Sequence, residues 1–183
     1  MLTIPHSAGC GRPARHAGFT MVELIVVLVL IGILGAIGVG RYFSRGSYDA
    51  AFFADQTRAL LRYAQKTAIA RNEPVFVELG DNRIALCHVA PNGNCPAASR
   101  VAFPGGSTVG KASETWCQAS GWYCVGRPDG VSFAVSSTVN QFAFDALGRP
   151  QLQNGTFGGL SLSISGEGER RTVLVTQETG YVQ

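Results

Sequence analysis

The chain has 183 residues, with 15 Lys+Arg against 12 Asp+Glu, 15% charged residues and 23 glycines. That balance excludes a strongly basic nucleic-acid scaffold and any choice of partner by net charge alone. So little charge with so much glycine suits a small, loop-rich extracytoplasmic β domain, and no internal repeat is visible.

The first elements are a polar segment carrying Arg12 and Arg15, then Gly18-Phe19-Thr20-Met21-Val22-Glu23, then the apolar run Leu24 to Leu34. Apart from Glu23, nothing from Phe19 to Gly40 is charged. Roughly 20 apolar residues at about 1.5 Å per residue span a hydrocarbon layer about 30 Å thick, so residues 19–40 read as a membrane helix. A signal peptide has a shorter apolar region, about 7–15 residues, followed by its cut site; here the run is longer and the small residue precedes it. Ser7-Ala8-Gly9-Cys10 looks like a lipoprotein box, but no apolar stretch leads into it. A carboxylate in such a helix is disfavoured by roughly 2.5–3.5 kcal/mol at the centre, and Glu23, one turn in, reaches the interface but still calls for a partner. One source of stabilisation is the positive N-terminal end of the helix dipole. Gly32, Ala36 and Gly40 form a small-residue ridge at four-residue spacing, suited to close helix contact.

Helical character continues over 41–72. There is no proline from Arg41 to Ala70, and Phe52, Phe53, Leu60, Leu61, Ala64, Ala68 and Ile69 recur near a 3.6-residue period. One helix from about Phe19 to Ala70 follows, stopping in Arg71-Asn72-Glu73-Pro74 because proline disfavours helical geometry in the residue before it. Residues 73–183, about 110 and enough for one modest core, read as short strands. Val75–Leu79, a Gly80-Asp81-Asn82 turn and Arg83–Val89 signal a hairpin; Val131–Val135, Gln141–Phe144, Leu160–Ile164, Thr172–Thr176 and Tyr181-Val182 follow. Pro91 to Asp129 reads as mostly loop, with Trp116, Trp122 and Tyr123 serving either as a contact surface or as loop-covered core. The fold class is α+β: a long N-terminal helix, membrane-spanning in its first half and amphipathic in its second, packed on a small, mainly antiparallel β-sheet head.

The stretch Gly18 to Glu23 resembles the prepilin cleavage and methylation signature of type IV pilins and type II secretion pseudopilins, a G-F-T-x-x-E sequence opening the membrane helix. The resemblance implies that prepilin peptidase cuts after Gly18 on the cytoplasmic side, removing residues 1–18 as a leader held inside by Arg12 and Arg15. It also implies N-methylation of the new Phe19 amine, which Glu23 pairs within its own chain or in a neighbouring subunit. Leu60 to Ala70, the turn Phe144-Asp145-Ala146-Leu147-Gly148-Arg149-Pro150 and the terminal Glu178-Thr179-Gly180-Tyr181-Val182 resemble the GspH/FimT family of H-type pseudopilins and T-type minor pilins. Within it, the C-type minor pilin of mannose-sensitive haemagglutinin pili is the subtype suggested. The implied function is that of a minor pilin or pseudopilin, held by one pass in the inner membrane with its head in the periplasm. From there it would enter a type IV pilus or type II secretion pseudopilus, priming or capping it. The implied partners are prepilin peptidase, other pilins or pseudopilins, the inner-membrane assembly platform and membrane lipid.

Loss of the leader removes Cys10 and leaves Cys87, Cys95, Cys117 and Cys124, an even set suited to two disulfides in an oxidising compartment. Four cysteines allow three pairings; closeness in the chain favours Cys87 with Cys95 and Cys117 with Cys124. Neither pair has the Cys-x₂₋₄-Cys spacing usual for structural zinc. His6 and His16 leave with the leader, so His88 stands without a second histidine, and no triad, phosphate loop, metal motif or cofactor site is expected. Removing Arg12 and Arg15 leaves 13 Lys+Arg against 12 Asp+Glu. The alternative function, a DNA-binding minor pilin for natural transformation acting through Arg149, Arg170 and Arg171, therefore starts from a weak electrostatic footprint. In addition, Gly148-Arg149-Pro150-Gln151 lacks a second arginine after its proline.

Overall fold

The computed structural model describes residues 19–42, 45–107, 110–136 and 139–183. The chain divides into two units, one ending at Tyr42 and one from Phe43 to Gln183. The first contains α1, Met21–Tyr42. The helix starts at Met21, two residues after Phe19, because Thr20 caps it: the Glu23 amide donates to Thr20 Oγ1 at 3.2 Å and the Leu24 amide to the Thr20 carbonyl at 3.2 Å. Every side chain described in α1, from Met21 to Ala36, is exposed within this unit. No helix among the described residues is long and apolar enough to cross a membrane; the described side chains of α1 end at Ala36, whereas the apolar sequence runs on to Gly40.

The second unit opens with α2, Arg45–Arg71. Its junction with α1, which a single helix from Phe19 to Ala70 requires, falls on Phe43 and Ser44, outside the described residues. At its other end α2 stops where expected: Asn72 turns into the left-handed region at φ 54°, ahead of Pro74. The buried stripe of α2 is Ala50, Phe53, Ala54, Thr57, Leu60, Leu61, Ala64 and Ala68, all fully enclosed. Phe52 and Ile69, assigned to that stripe by periodicity, are instead 54% and 51% exposed. At about 100° per residue the buried stripe spans about 120°, and Phe52 and Ile69 fall beyond its two edges, by about 80° and about 60°.

Eight strands follow: β1 Val75–Leu79, β2 Arg83–Cys87, β3 Cys124–Gly126, β4 Val131–Val135, β5 Gln141–Phe144, β6 Pro150–Gln151, β7 Leu160–Gly166 and β8 Glu169–Val175. They form two sheets, ordered β3-β2-β1-β5-β6 and β4-β7-β8, and every pairing is antiparallel. Helix α2 packs against both. Alternation decides the faces: Val75, Val77 and Leu79 of β1, Ile84 and Leu86 of β2, and Phe142 and Phe144 of β5 join the core under α2, as do Leu160, Leu162, Ile164, Val173 and Val175 of the smaller sheet.

The differences from the sequence reading are local. Strand β2 ends at Cys87 rather than Val89, because His88 donates its amide to Ser99 of the covering loop. The β7–β8 hairpin runs further, to Gly166 and back from Glu169. Tyr181-Val182 contributes a single bridge, Val175 to Val182, rather than a strand. The stretch Pro91–Asp129 is mostly loop, as expected, but it also holds α3, Lys111–Cys117, the edge strand β3 and a short 3₁₀ turn at Ala97–Ser99, which the sequence did not signal.

Candidate functional site

Three groups of residues carry the functional expectations. At the N-terminus, Gly18 lies outside the described residues, so the expected cleavage position rests on the sequence alone. Phe19 is 77% exposed beside the capped first turn. The cap itself went unread, although its signal was present: Thr20-Met21-Val22-Glu23 has the Thr-x-x-Glu spacing of a capping box, and the Glu23 amide is the one Thr20 holds. The cap satisfies one of the free donors of the helix start and places Glu23 in the first turn, next to the positive end of the dipole.

The second group is the cysteines. Cys87 bonds Cys95 with their Cα atoms 6.0 Å apart, and Cys117 bonds Cys124 at 5.9 Å. Both bridges pack with Ala85 and Trp122 into a small second core, separate from the cluster under α2. Trp122 is 2% exposed, donates Nε1–H to the Leu86 carbonyl at 2.8 Å, and has the guanidiniums of Arg100 and Arg83 at 4.4 and 5.2 Å from its ring. Tyr123 is buried on the other face, between Tyr63 and Phe103, where burial and then the Tyr63 hydroxyl push its own hydroxyl above the ordinary tyrosine range. Trp122 and Tyr123 are therefore core; Trp116 remains partly exposed on α3.

The third group is Arg149, Arg170 and Arg171. Arg149 lies in the β5–β6 turn, bonded to Asp145 Oδ2 through Nε at 3.1 Å and Nη2 at 3.0 Å. Arg171 pairs with Glu169 at 2.8 Å. Gln65, late in α2, holds the Gly148 carbonyl at 2.8 Å, whereas the β7–β8 end packs Gly166 against the Gly46 backbone at the start of α2. Arg149 and the Arg170-Arg171 pair thus lie towards opposite ends of the helix, and two of the three charges are already matched. Near the end of α2, burial and the Arg71 charge push His88 below its ordinary value, opposed by Glu73, which leaves the ring neutral near pH 7. Among the described residues no three of His, Cys, Asp and Glu converge to hold a metal.

A capped apolar helix ahead of a disulfide-braced α+β head defines a class: structural subunits of the pilin type, which are not enzymes. Residues 13–39 match the prokaryotic N-terminal methylation motif, and residues 54–180 match type II transport protein GspH. The chain belongs to the GspH family of type II transport proteins. Among solved structures it is similar to the minor pseudopilin EpsH from the type 2 secretion system of Vibrio cholerae, at 12% identity over 74% of this chain and 94% of that one, with a TM-score of 0.50. It is also similar to the type IV minor pilin FimU of Pseudomonas aeruginosa PAO1, at 14% identity over 73% of this chain and 90% of that one, with a TM-score of 0.48. At such identities the likeness to EpsH establishes the fold alone. No protein of curated function matches the chain.

Proposed function

We propose that this chain is a minor pilin or pseudopilin that waits in the inner membrane on residues 19–40, with its head in the periplasm. It is then drawn into a type IV pilus or type II secretion pseudopilus, where it primes or caps assembly. The observation that carries this reading is the sequence Gly18 to Glu23 running directly into a capped apolar helix, in a chain of the GspH family. Prepilin peptidase cuts after Gly18, the Phe19 amine is methylated, and Glu23 supplies the carboxylate that compensates that amine, its own or a neighbour's, once the helices pack away from water. Two disulfides suit an oxidising periplasm. The reading as a DNA receptor gains nothing from arginines set apart along the head, two of which, Arg149 and Arg171, are paired with carboxylates.

The test is mass spectrometry of the membrane-extracted chain from cells carrying prepilin peptidase. The expected product starts at N-methylated Phe19, and Gly18→Val retains the leader. Recovery of an intact chain from Met1 to Gln183 in those cells sinks the proposal.

A further inference from the structure

We propose that, while the chain is anchored, the base of the head docks on the bilayer, with Tyr48 and Phe52 in the headgroup layer and the groove between α2 and α3 receiving an ammonium-bearing phospholipid headgroup. The proposal rests on the membrane-anchored reading of residues 19–40 and names the surface on which the head waits.

The exposed face of α2 changes character along the helix. Tyr48 and Phe52, 74% and 54% exposed, lie one turn apart, and the exposed positions that follow them on the same face are Asp55, Ala59, Arg62 and Lys66. Exposed aromatic rings on α2 are thus confined to its first two turns. Those turns are also the part of the head tethered closest to the anchor. Gly46, buried against the Gly166 backbone, is six residues past Gly40, where the apolar sequence ends, and Tyr48 is eight residues past it. However the chain between them runs, eight residues span at most about 29 Å, so the start of α2 is held within reach of a headgroup layer about 5–8 Å thick. Tyrosine and tryptophan favour that layer because their rings are apolar and their polar tips meet water.

Phe52 also borders a groove of about 630 Å³ that Trp116, partly exposed on α3, shares with Asp49, Asp129 and Lys111. Among the described residues none of these three charges has an ion pair or a side-chain hydrogen bond. The α3 side of the groove is fixed in place. The Cys117–Cys124 bridge ties the end of α3 to β3, the Gly126 amide donates to Ser113 Oγ at 3.1 Å, and Arg83 Nη1 donates to the Trp116 carbonyl at 3.2 Å. Gly126 lies so close to the Ala112 carbonyl that no Cβ fits between them.

A preformed concavity of this kind suits a zwitterion. Two unmatched carboxylates beside aromatic rings favour an ammonium, and the free Lys111 favours the phosphate that accompanies it. A phosphatidylethanolamine headgroup carries both charges. Phosphatidylglycerol brings the phosphate without the ammonium and leaves both carboxylates uncompensated, so the groove distinguishes the two lipids.

The test uses the full chain in bilayer discs made of equal amounts of phosphatidylethanolamine and phosphatidylglycerol, with a benzophenone amino acid in place of Tyr48, Phe52 or, as a control, Leu147. Leu147 is 70% exposed but lies in the turn held by Gln65, late in α2. After irradiation, mass spectrometry should find phospholipid adducts at positions 48 and 52 at least fivefold above those at 147. At position 52 the ethanolamine lipid should exceed the glycerol lipid at least threefold, and Asp49→Asn with Asp129→Asn should abolish that preference while leaving the adducts at 48. Lipid adducts at 48 and 52 no more abundant than at 147, or adducts at those positions to a second copy of the chain instead of lipid, overturn the docking. Equal capture of the two lipids at 52, or a preference that the double change leaves intact, overturns the headgroup assignment. Flotation of the same discs separates the two levels: a chain that floats with lipid but gives no adducts at 48 and 52 removes the docking alone, whereas a chain that does not float removes the anchored reading and the docking with it.

Discussion

Gln65 and Gly148 are joined by a 2.8 Å hydrogen bond from the Gln65 Nε2 to the Gly148 carbonyl, and the same nitrogen donates to the Thr179 carbonyl at 2.9 Å. One helix side chain thereby ties the β5–β6 turn and the C-terminal turn to α2. Gln65→Leu keeps the volume but leaves both carbonyls without that donor, and an unsatisfied acceptor costs about 1–3 kcal/mol. The variant should melt several degrees lower by circular dichroism; an unchanged melting temperature would show that the tie contributes nothing.

Asp145 sets an acid limit on the same region. Burial pushes its carboxyl up, but the hydrogen bonds from the Arg149 amide and side chain and from the Leu147 amide, with the Arg149 charge, outweigh burial and hold it below the ordinary carboxylate value of 3.8. A depressed folded value means its stabilisation is complete above about pH 4 and disappears as the pH falls through the lower folded value. Asp145→Asn should therefore lower the melting temperature at pH 7, and the two melting curves should converge as the pH falls below the ordinary carboxylate value of 3.8. Parallel curves over that range would exclude Asp145 as the titrating group.

The second core makes the bridges readable by fluorescence. Closing loops this short contributes about 2–3 kcal/mol each in the chain-entropy account, and both bridges touch the packing around Trp122. Reduction should lower the melting temperature of the head and shift Trp emission to longer wavelength as the ring meets water. The pair Cys117→Ser, Cys124→Ser should reproduce part of both effects; native emission in reductant would separate Trp122 from the bridges.

The N-terminal methylation motif was legible because its signals are long or chemically specific, an uninterrupted apolar run and a lone carboxylate at a fixed spacing, and the two disulfides were legible because each joins cysteines close in the chain. Strands β1 and β5 were legible too, each bounded by turn residues such as Gly80-Asp81-Asn82. Helix α3 and strand β3 were not. Lys111–Cys117 is two turns long and Cys124–Gly126 three residues, too short for periodicity, and what holds them is the Cys117–Cys124 bridge and Gly126 pressed on Ala112, neither a local signal. The roles of Phe52 and Phe53 were equally hidden, since adjacent aromatic residues look alike until the packing of α2 chooses between them. The three arginines formed a patch only on paper, because sequence does not say that β8 and the β5–β6 turn lie towards opposite ends of the helix.

At the N-terminus, removing charge and removing the cap should act differently. Glu23→Leu should ease membrane insertion, because it deletes a carboxylate from an apolar segment, yet reduce filament incorporation, because the Phe19 amine that the proposed cleavage creates would lose its proposed partner. Thr20→Ala should leave insertion unchanged and cost about 1 kcal/mol at the helix start, seen as faster amide exchange at Met21–Leu24 in micelles, with Thr20→Ser close to the native rate. Wild-type filament numbers with Glu23→Leu would remove the proposed compensation.

The outer edge of β8 is covered at its end by residues 181–183: Leu174 and Gln183 exchange both backbone hydrogen bonds, at 2.9 and 3.1 Å, and Arg62 grips the Val182 carbonyl through Nε and Nη2. An open strand edge is a template on which other chains polymerise without control. A subunit that assembles in order, as proposed, needs such a template covered, and here residues 181–183 cover the end of β8. Deleting Tyr181–Gln183 would turn a quiescent precursor into an aggregation seed, visible as concentration-dependent light scattering that the intact head does not show.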